Sequence, residues 1–231
     1  QKHCKSVKNI SANTQVHYYK VFHHCLNSAV IDEIITSNPM DKIKNEEKPK
    51  RRRTERAFLT IDELKILSQT DFHNATLKKA FLFSCFCGLR HSDIVALTWG
   101  NLKKGKVGKM ELHMTQQKTQ EILSLPLSKE ALKQLPVRGK VPDTEKVFKG
   151  LISLGRTNEI LPKWAAKAGI QKHITFHSAR HTHATMMITL GADLYTVSKL
   201  LGHTNIQTTQ IYAKIVDESK EKAIDLIPDI T

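Results

Sequence analysis

Through most of this 231-residue chain apolar side chains recur every three or four positions, but between residues 107 and 127 the period drops to two. Met110, Leu112 and Met114 alternate with polar residues, and so do Leu123, Leu125 and Leu127. Side chains two apart share one face of a strand, so this stretch predicts two half-buried strands inside a helical protein. The polar hairpin between them, Thr115 to Gln120, carries Lys118 near its tip. The fold class that follows is mainly α with a small antiparallel β-hairpin or sheet (α+β). A chain of this length holds one sizeable core, or one core plus a small helical piece.

The helical segments fall on both sides of that hairpin. Residues 11 to 38 read as a helix stopped by Asn38-Pro39, with Val16, Tyr19, Phe22, His23, Leu26, Val30 and Ile34 as a stripe that one helix cannot bury alone. Thr60 and Glu63 form a capping-box pair that opens a second helix. A strongly apolar helix from about Ala75 to Cys87 stops at Gly88, and the turn Leu89-Arg90-His91-Ser92-Asp93 feeds a short helix ending near Trp99. After Ser128 the chain returns to helix, through Arg156 to Ala168 with Gly169 as terminator, then 177 to 190 and 194 to 201. Asn205 caps a further helix carrying Ile206, Thr209 and Tyr212. Residues 217 to 227 form an amphipathic tail through Ala223, Ile224 and Ile227, ended by Pro228.

Charge then narrows the partner. The formal net charge is +14 and the isoelectric point about 9.6, which calls for an anionic partner. Nucleic acid fits better than a membrane, because no long apolar run or amphipathic anchor stands out. The cations are concentrated in a linker almost without apolar residues, residues 41 to 56, where Lys48, Lys50, Arg51, Arg52, Arg53 and Arg56 surround Pro49. Such a segment cannot pack a core; it is either a solvated hinge or, as the concentration of cations favours, a strap following a phosphate backbone. Residues 1 to 40 are accordingly the last part of a small helical domain, and residues 57 to 231 a second domain with its tail. The opening Gln1-Lys2-His3-Cys4 has neither an initiator methionine nor an apolar signal region and reads as a cut fragment of something longer. Cys4, Cys25, Cys85 and Cys87 lack a disulfide-framework spacing, which suits a reducing cytoplasm.

Chemistry concentrates near the end of the chain. Arg180 offers a rigid fork of donors matched to two phosphate oxygens, and His177 lies one helical turn before it. Gly202 precedes a further histidine, His203, and Tyr212 supplies a phenol able to form a phosphate ester. A phosphodiester would suit all four. His177 and His181, four apart with His183 and His203 nearby, also suggest a zinc pair. However, no glutamate adjoins the first histidine and no third ligand is evident, so no metal is assigned.

Five pieces in order resemble the tyrosine recombinases, or phage-type integrases: Gly88-Leu89-Arg90-His91-Ser92-Asp93, Gln117-Lys118-Thr119 with Leu125-Pro126-Leu127, His177-Ser178-Ala179-Arg180-His181-Thr182, Leu200-Leu201-Gly202-His203, and Tyr212. The resemblance covers roughly residues 55 to 220 and leans toward integrases of bacterial conjugative transposons. It implies that Arg90 and Arg180 grip the scissile phosphate, with Lys118, His177 and His203 beside them and Tyr212 as nucleophile. Asp93 stands where the family carries an acidic residue supporting the first arginine. The N-terminal helix and linker then correspond to the end of a core-binding domain.

Tyrosine attack on a DNA phosphate would leave a 3′-phosphotyrosyl link and a free 5′-hydroxyl. Because that ester retains the bond energy, neither ATP nor any other cofactor is required. A neighbouring base such as His177 would take the phenolic proton, and Lys118 would protonate the leaving oxygen. The partners implied are double-stranded DNA, a homotetramer on DNA formed from free monomers by exchange of the tail in trans, and accessory DNA-bending proteins, all nucleoid-associated during reaction. Two other readings share the residues: a type IB topoisomerase-like nicking and closing enzyme, and a non-catalytic DNA-binding protein of the same fold.

Overall fold

A computed structural model describes residues 10–52, 56–105 and 108–212. The chain divides into two units, residues 1–55 and 56–231. In the first unit, α1 (Ala12–Ile31) starts where the Ser11 hydroxyl accepts from the Thr14 amide. It ends seven residues before Asn38, the end expected from the sequence, and Glu33 follows it in a left-handed conformation at φ 58°. None of its residues is buried, and Tyr18, Val21 and Phe22 are exposed. Asn38 instead caps the short 3₁₀ turn Pro39–Lys42 and donates to the His23 carbonyl, 3.2 Å away.

The second unit holds the core. Its helices are α2 (Ile61–Gln69), α3 (Ala75–Cys87), α4 (His91–Ala96), α5 (Lys129–Lys133), α6 (Leu154–Lys167), α7 (Phe176–Thr189) and α8 (Leu194–Leu201). Both bonds of the capping box form at α2: the Thr60 amide donates to Glu63 at 2.7 Å and the Glu63 amide to Thr60 at 3.2 Å. Eight of the thirteen residues of α3 are buried, so it serves as the central post, packed against α7 and α5. Phe81 meets Phe176 and Trp164 edge-on, with centroids 5.9 and 6.0 Å apart. Cys85 and Cys87 are buried free thiols, and burial pushes the Cys87 thiol up to about 12, so both behave as small apolar side chains.

The strands form a three-stranded antiparallel sheet in the order β1 (Leu102–Lys104), β2 (Met110–Thr115), β3 (Ile122–Pro126). Leu112 faces Leu125 and Met114 faces Leu123, so one face of the pleat meets the core while Ile122 and Ser124 face solvent. β1 adds an edge that the alternation did not reveal, because its Leu-Lys-Lys run has one apolar residue and no period to read. Instead of the expected helix after Asn205, the chain makes two 3₁₀ turns, Ile206–Thr208 and Gln210–Tyr212. Asn205 still caps the first of them. No described helix is long and apolar enough to cross a membrane. The amphipathic stretch 217–227 lies outside the described residues.

Candidate active site

Local backbone rules deliver each charged side chain. α3 must stop at Gly88, whose φ of +72° is a left-handed cap and whose packing against His183 and Leu201 leaves no room for a Cβ. Leu89 is buried just beyond, so Arg90 is pinned at the start of α4 and only half-buried. Asp93, 0% exposed, ties that turn to the hairpin. One carboxylate oxygen accepts from the Gln117 amide at 2.8 Å, the other from the Arg90 amide at 3.3 Å. The Arg90 guanidinium stands 3.9 Å from the same carboxylate, so Asp93 acts more through backbone amides than through an ion pair.

Arg180, on the second turn of α7, is 3% exposed. Its Nη1 donates to the Gly88 carbonyl at 2.8 Å and its Nη2 to the Leu201 carbonyl at 2.6 Å. Each terminal nitrogen carries two hydrogens, so the fork is braced from behind while one N–H on each remains for a ligand. Burial and the nearby Arg90 pull its pKa down to about 10, which leaves it a cation at neutral pH. Arg90 makes one side-chain hydrogen bond, from Nη1 to Gln116 Oε1 at 3.1 Å.

Tyr212 is 6% exposed and completes a small apolar cluster with Ala184, Ile188, Val197 and Leu201. Its hydroxyl forms a hydrogen bond with Nδ1 of His181 at 2.5 Å. Burial raises the phenol to about 12, against the opposing charges of Arg180 and Arg56. Desolvation, and then the charges of His177, Arg56, Arg180 and His203, hold His181 down to about 3. It is therefore neutral, and in the tautomer protonated on Nε2 its Nδ1 accepts from the phenol.

His177 lies exposed at the start of α7, its ring edge-on to His181 with centroids 4.6 Å apart. Desolvation and the charges of Arg180, Arg56, Arg90 and Lys118 hold it near 4. His203 follows the left-handed Gly202, contacts the Thr209 hydroxyl at 2.8 Å, and is also held near 4 by desolvation and the same arginines. Lys118 is exposed on the hairpin, its charge felt at His177.

The residues brought together are thus Arg90, Asp93, Lys118, His177, Arg180, His203 and Tyr212. Of the linker cations, Arg56 belongs to this cluster through its field on the histidines and Tyr212. Lys48, Lys50, Arg51 and Arg52 lie in the first unit; the Arg52 backbone is paired with the Asn13 amide, and Arg53 lies outside the described residues. Two participants were not singled out from the sequence. The sequence had suggested His177 as base, yet the phenol's partner is His181, considered there only as a zinc ligand. Its spacing from Tyr212 carries no periodic signal, because the contact depends on the 3₁₀ turns. Gln116 was read as part of a polar loop, yet it is 0% exposed. Among the described residues no group of three or more His, Cys, Asp or Glu is placed to hold a metal ion.

The phage integrase family description matches residues 57–219. A tyrosine recombinase of Pseudothermotoga lettingae is 30% identical over 199 residues, 84% of this chain and 68% of that protein. A tyrosine recombinase XerC of Caldanaerobacter subterraneus is 30% identical over 207 residues, 85% of this chain and 57% of that protein. Among solved structures, the Tn1549 transposon integrase in complex with circular intermediate DNA aligns with a TM-score of 0.68 at 19% identity, covering 89% of this chain and 76% of that one. A lambda integrase dimer bound to a COC′ core site aligns with a TM-score of 0.67 at 18% identity, covering 89% and 80%.

Proposed function

The chain belongs to the phage integrase family of tyrosine recombinases, and from that premise we propose which of its residues carry out site-specific breakage and rejoining of double-stranded DNA. The observation that carries this reading is a pair of braced guanidiniums joined through Gln116 and the Leu201 carbonyl, with the charge of Arg180 acting on a buried tyrosine whose hydroxyl is already hydrogen-bonded. Arg90 and Arg180 hold the non-bridging oxygens of the scissile phosphate. As Tyr212 attacks, phosphorus becomes five-coordinate and charge grows on those oxygens. Cations fixed beforehand stabilise that charge without reorganising, commonly the largest catalytic contribution.

Tyr212 begins protonated, its phenol raised by burial, beside a His181 that burial keeps neutral. The proton therefore leaves as the phosphorus–oxygen bond forms, with His181 Nδ1 as its nearest acceptor. His177 and His203, neutral and among the arginines, donate to phosphate oxygens. Lys118, on the exposed hairpin, protonates the departing 5′-oxygen. Reversal by the 5′-hydroxyl of another strand completes exchange, with no nucleotide cofactor needed.

Lys48, Lys50, Arg51, Arg52, Arg53 and Arg56 form the phosphate-tracking strap, and residues 1–40 end a DNA-clasping helical domain. A homotetramer on DNA, linked by tails exchanged in trans, is the assembly proposed from the amphipathic pattern of residues 217–227. Integration or excision of a mobile element, helped by DNA-bending proteins, is the proposed setting. Removing residues 217–231 should leave single-site cleavage intact but abolish strand exchange; unimpaired exchange would rule out the tail-linked assembly.

The primary test is covalent capture. The full chain is incubated with sheared genomic DNA from its source, stopped with SDS, and the protein-bound fragments are sequenced. Wild type should yield adducts at a recurring site, and Tyr212→Phe none. DNA binding by wild type without any adduct would remove Tyr212 as nucleophile and leave a binding protein of this fold.

A further inference from the structure

We infer that Gln116 is a positioning residue for DNA cleavage, holding both phosphate-binding arginines and the Lys118 hairpin in register through one side-chain amide. The inference rests on the recombinase reading above. Gln116 starts the loop between β2 and β3 and is wholly buried, although its neighbours Thr115 and Gln117 are exposed. Its Oε1 accepts from Arg90 Nη1 at 3.1 Å and from the Thr119 hydroxyl at 2.8 Å. Its Nε2 donates to the Leu201 carbonyl at 3.2 Å, the same oxygen that receives Arg180 Nη2 at 2.6 Å. One amide and one carbonyl therefore connect the two guanidiniums. The opposite amide orientation would face N–H groups toward Arg90 and an oxygen toward the carbonyl, so the network admits only this one.

The surroundings are shaped around this side chain. Gly202 turns beneath it at φ +63°, and a Cβ there would stand 2.7 Å from Gln116 Nε2. The residue type is equally constrained. A neutral amide takes up one N–H of Arg90 without cancelling its charge, so the guanidinium stays available to an anion. Glutamate would accept from Arg90 but has no proton for the Leu201 carbonyl, and its charge would compete with the phosphate for Arg90. Methionine matches the length and offers no hydrogen bond. Because Gln116 shares a tight loop with Lys118, closed by the Gln116 amide on the Glu121 carbonyl at 2.8 Å, a shift of the amide also moves the lysine's base.

A residue acting this way changes the covalent step more than DNA affinity. The full chain and its Gln116→Met and Gln116→Glu variants are compared on a nicked duplex carrying the site recovered by covalent capture. Adduct formation is followed at saturating DNA, together with the half-saturating DNA concentration and the thermal midpoint. A second duplex carries sulfur in place of the bridging 5′-oxygen; its thiolate leaves without an acid, but it still needs the cations on the non-bridging oxygens. Adduct formation by Gln116→Met should slow at least about tenfold with half-saturation changed by less than about twofold. The sulfur substrate should restore Lys118→Ala but no more than a minor part of the Gln116→Met loss, the part that comes through the hairpin. Should Gln116→Met lack a thermal transition, Gln116→Glu carries the test, with the same slowing expected. A folded variant cleaving at the wild-type rate, a defect confined to half-saturation, or full recovery with sulfur would each overturn the role. Wild type without an adduct would instead sink the recombinase reading itself.

Discussion

The two sides of the site are built to different standards. On the arginine side, Arg180 is braced by two backbone carbonyls, Arg90 by Gln116, and the turn carrying Arg90 by the buried carboxylate of Asp93. Arg180 lies on α7 and the turn carrying Arg90 follows α3, the most thoroughly buried helices of the unit. On the tyrosine side, Tyr212 sits at the end of two consecutive 3₁₀ turns, where hydrogen-bond geometry is poorer, and its hydroxyl rests on one histidine. The contrast matches the chemistry. Groups that stabilise charge must be fixed before it appears, whereas a nucleophile has to travel to the phosphorus.

The largest expected effect lies on the arginine side. Arg180→Lys keeps the charge but loses the fork, so it cannot satisfy the Gly88 and Leu201 carbonyls and still reach two phosphate oxygens. Losing one preorganised donor of this kind lowers the rate by about 10²–10³-fold. Single-turnover adduct formation measures it directly. A fall of less than tenfold would mean that the brace contributes little, and the two sides would no longer differ in kind.

A smaller effect is expected at His181. His181→Leu removes the partner that the Tyr212 hydroxyl has among the described residues, a loss comparable to a single hydrogen bond, and adduct formation should slow by about tenfold. His181→Asn, which can present an acceptor near the Nδ1 position, should recover most of that loss. A drop as deep as that of Arg180→Lys would assign His181 a full share of the chemistry and place the nucleophile under the same fixed control as the cations.

The same contrast explains what could be read beforehand. Arg90 was legible because a buried helix, a left-handed Gly88 and a turn announce it in consecutive residues. The hairpin was legible because Leu112 with Leu125 and Met114 with Leu123 obey a period of two. Arg180 and His177 stood out through residue type and helical spacing. Gln116 did not, since a glutamine in a polar loop looks solvated until Arg90, Thr119 and Leu201 are folded around it. His181 was hidden for a related reason: the path from α7 to Tyr212 passes through 3₁₀ turns that carry no apolar periodicity. The overlong reading of α1 had the opposite cause. An apolar stripe continued through Ile34, yet the backbone turns at Glu33, and no residue of that helix is buried to hold it straight. Local signals were sufficient wherever an element is fixed by its own core contacts.

The smallest effect is one of acidity, and it probes both sides at once. His183, on the arginine side with Nδ1 at the Cys85 carbonyl, is held near 4 by burial, and His181, on the tyrosine side, near 3. Both lie below the ordinary histidine value of 6.5. In the unfolded chain each takes up a proton as pH falls through about 6.5, while in the folded protein each stays neutral until about 4 or below. Over that window the unfolded state binds more protons, so stability is complete above about pH 7 and declines as pH falls toward 4. Thermal midpoints at pH 8, 6.5 and 5 should fall slightly across the first interval and more steeply across the second. His183→Leu and His181→Leu should each flatten the drop by the share of one proton, whatever they do to the midpoint at pH 8. If His183→Leu flattens it and His181→Leu does not, His181 titrates freely in the folded protein. Its hydrogen bond to Tyr212 would then not persist in solution, and the nucleophile would be held only by the apolar packing of its ring.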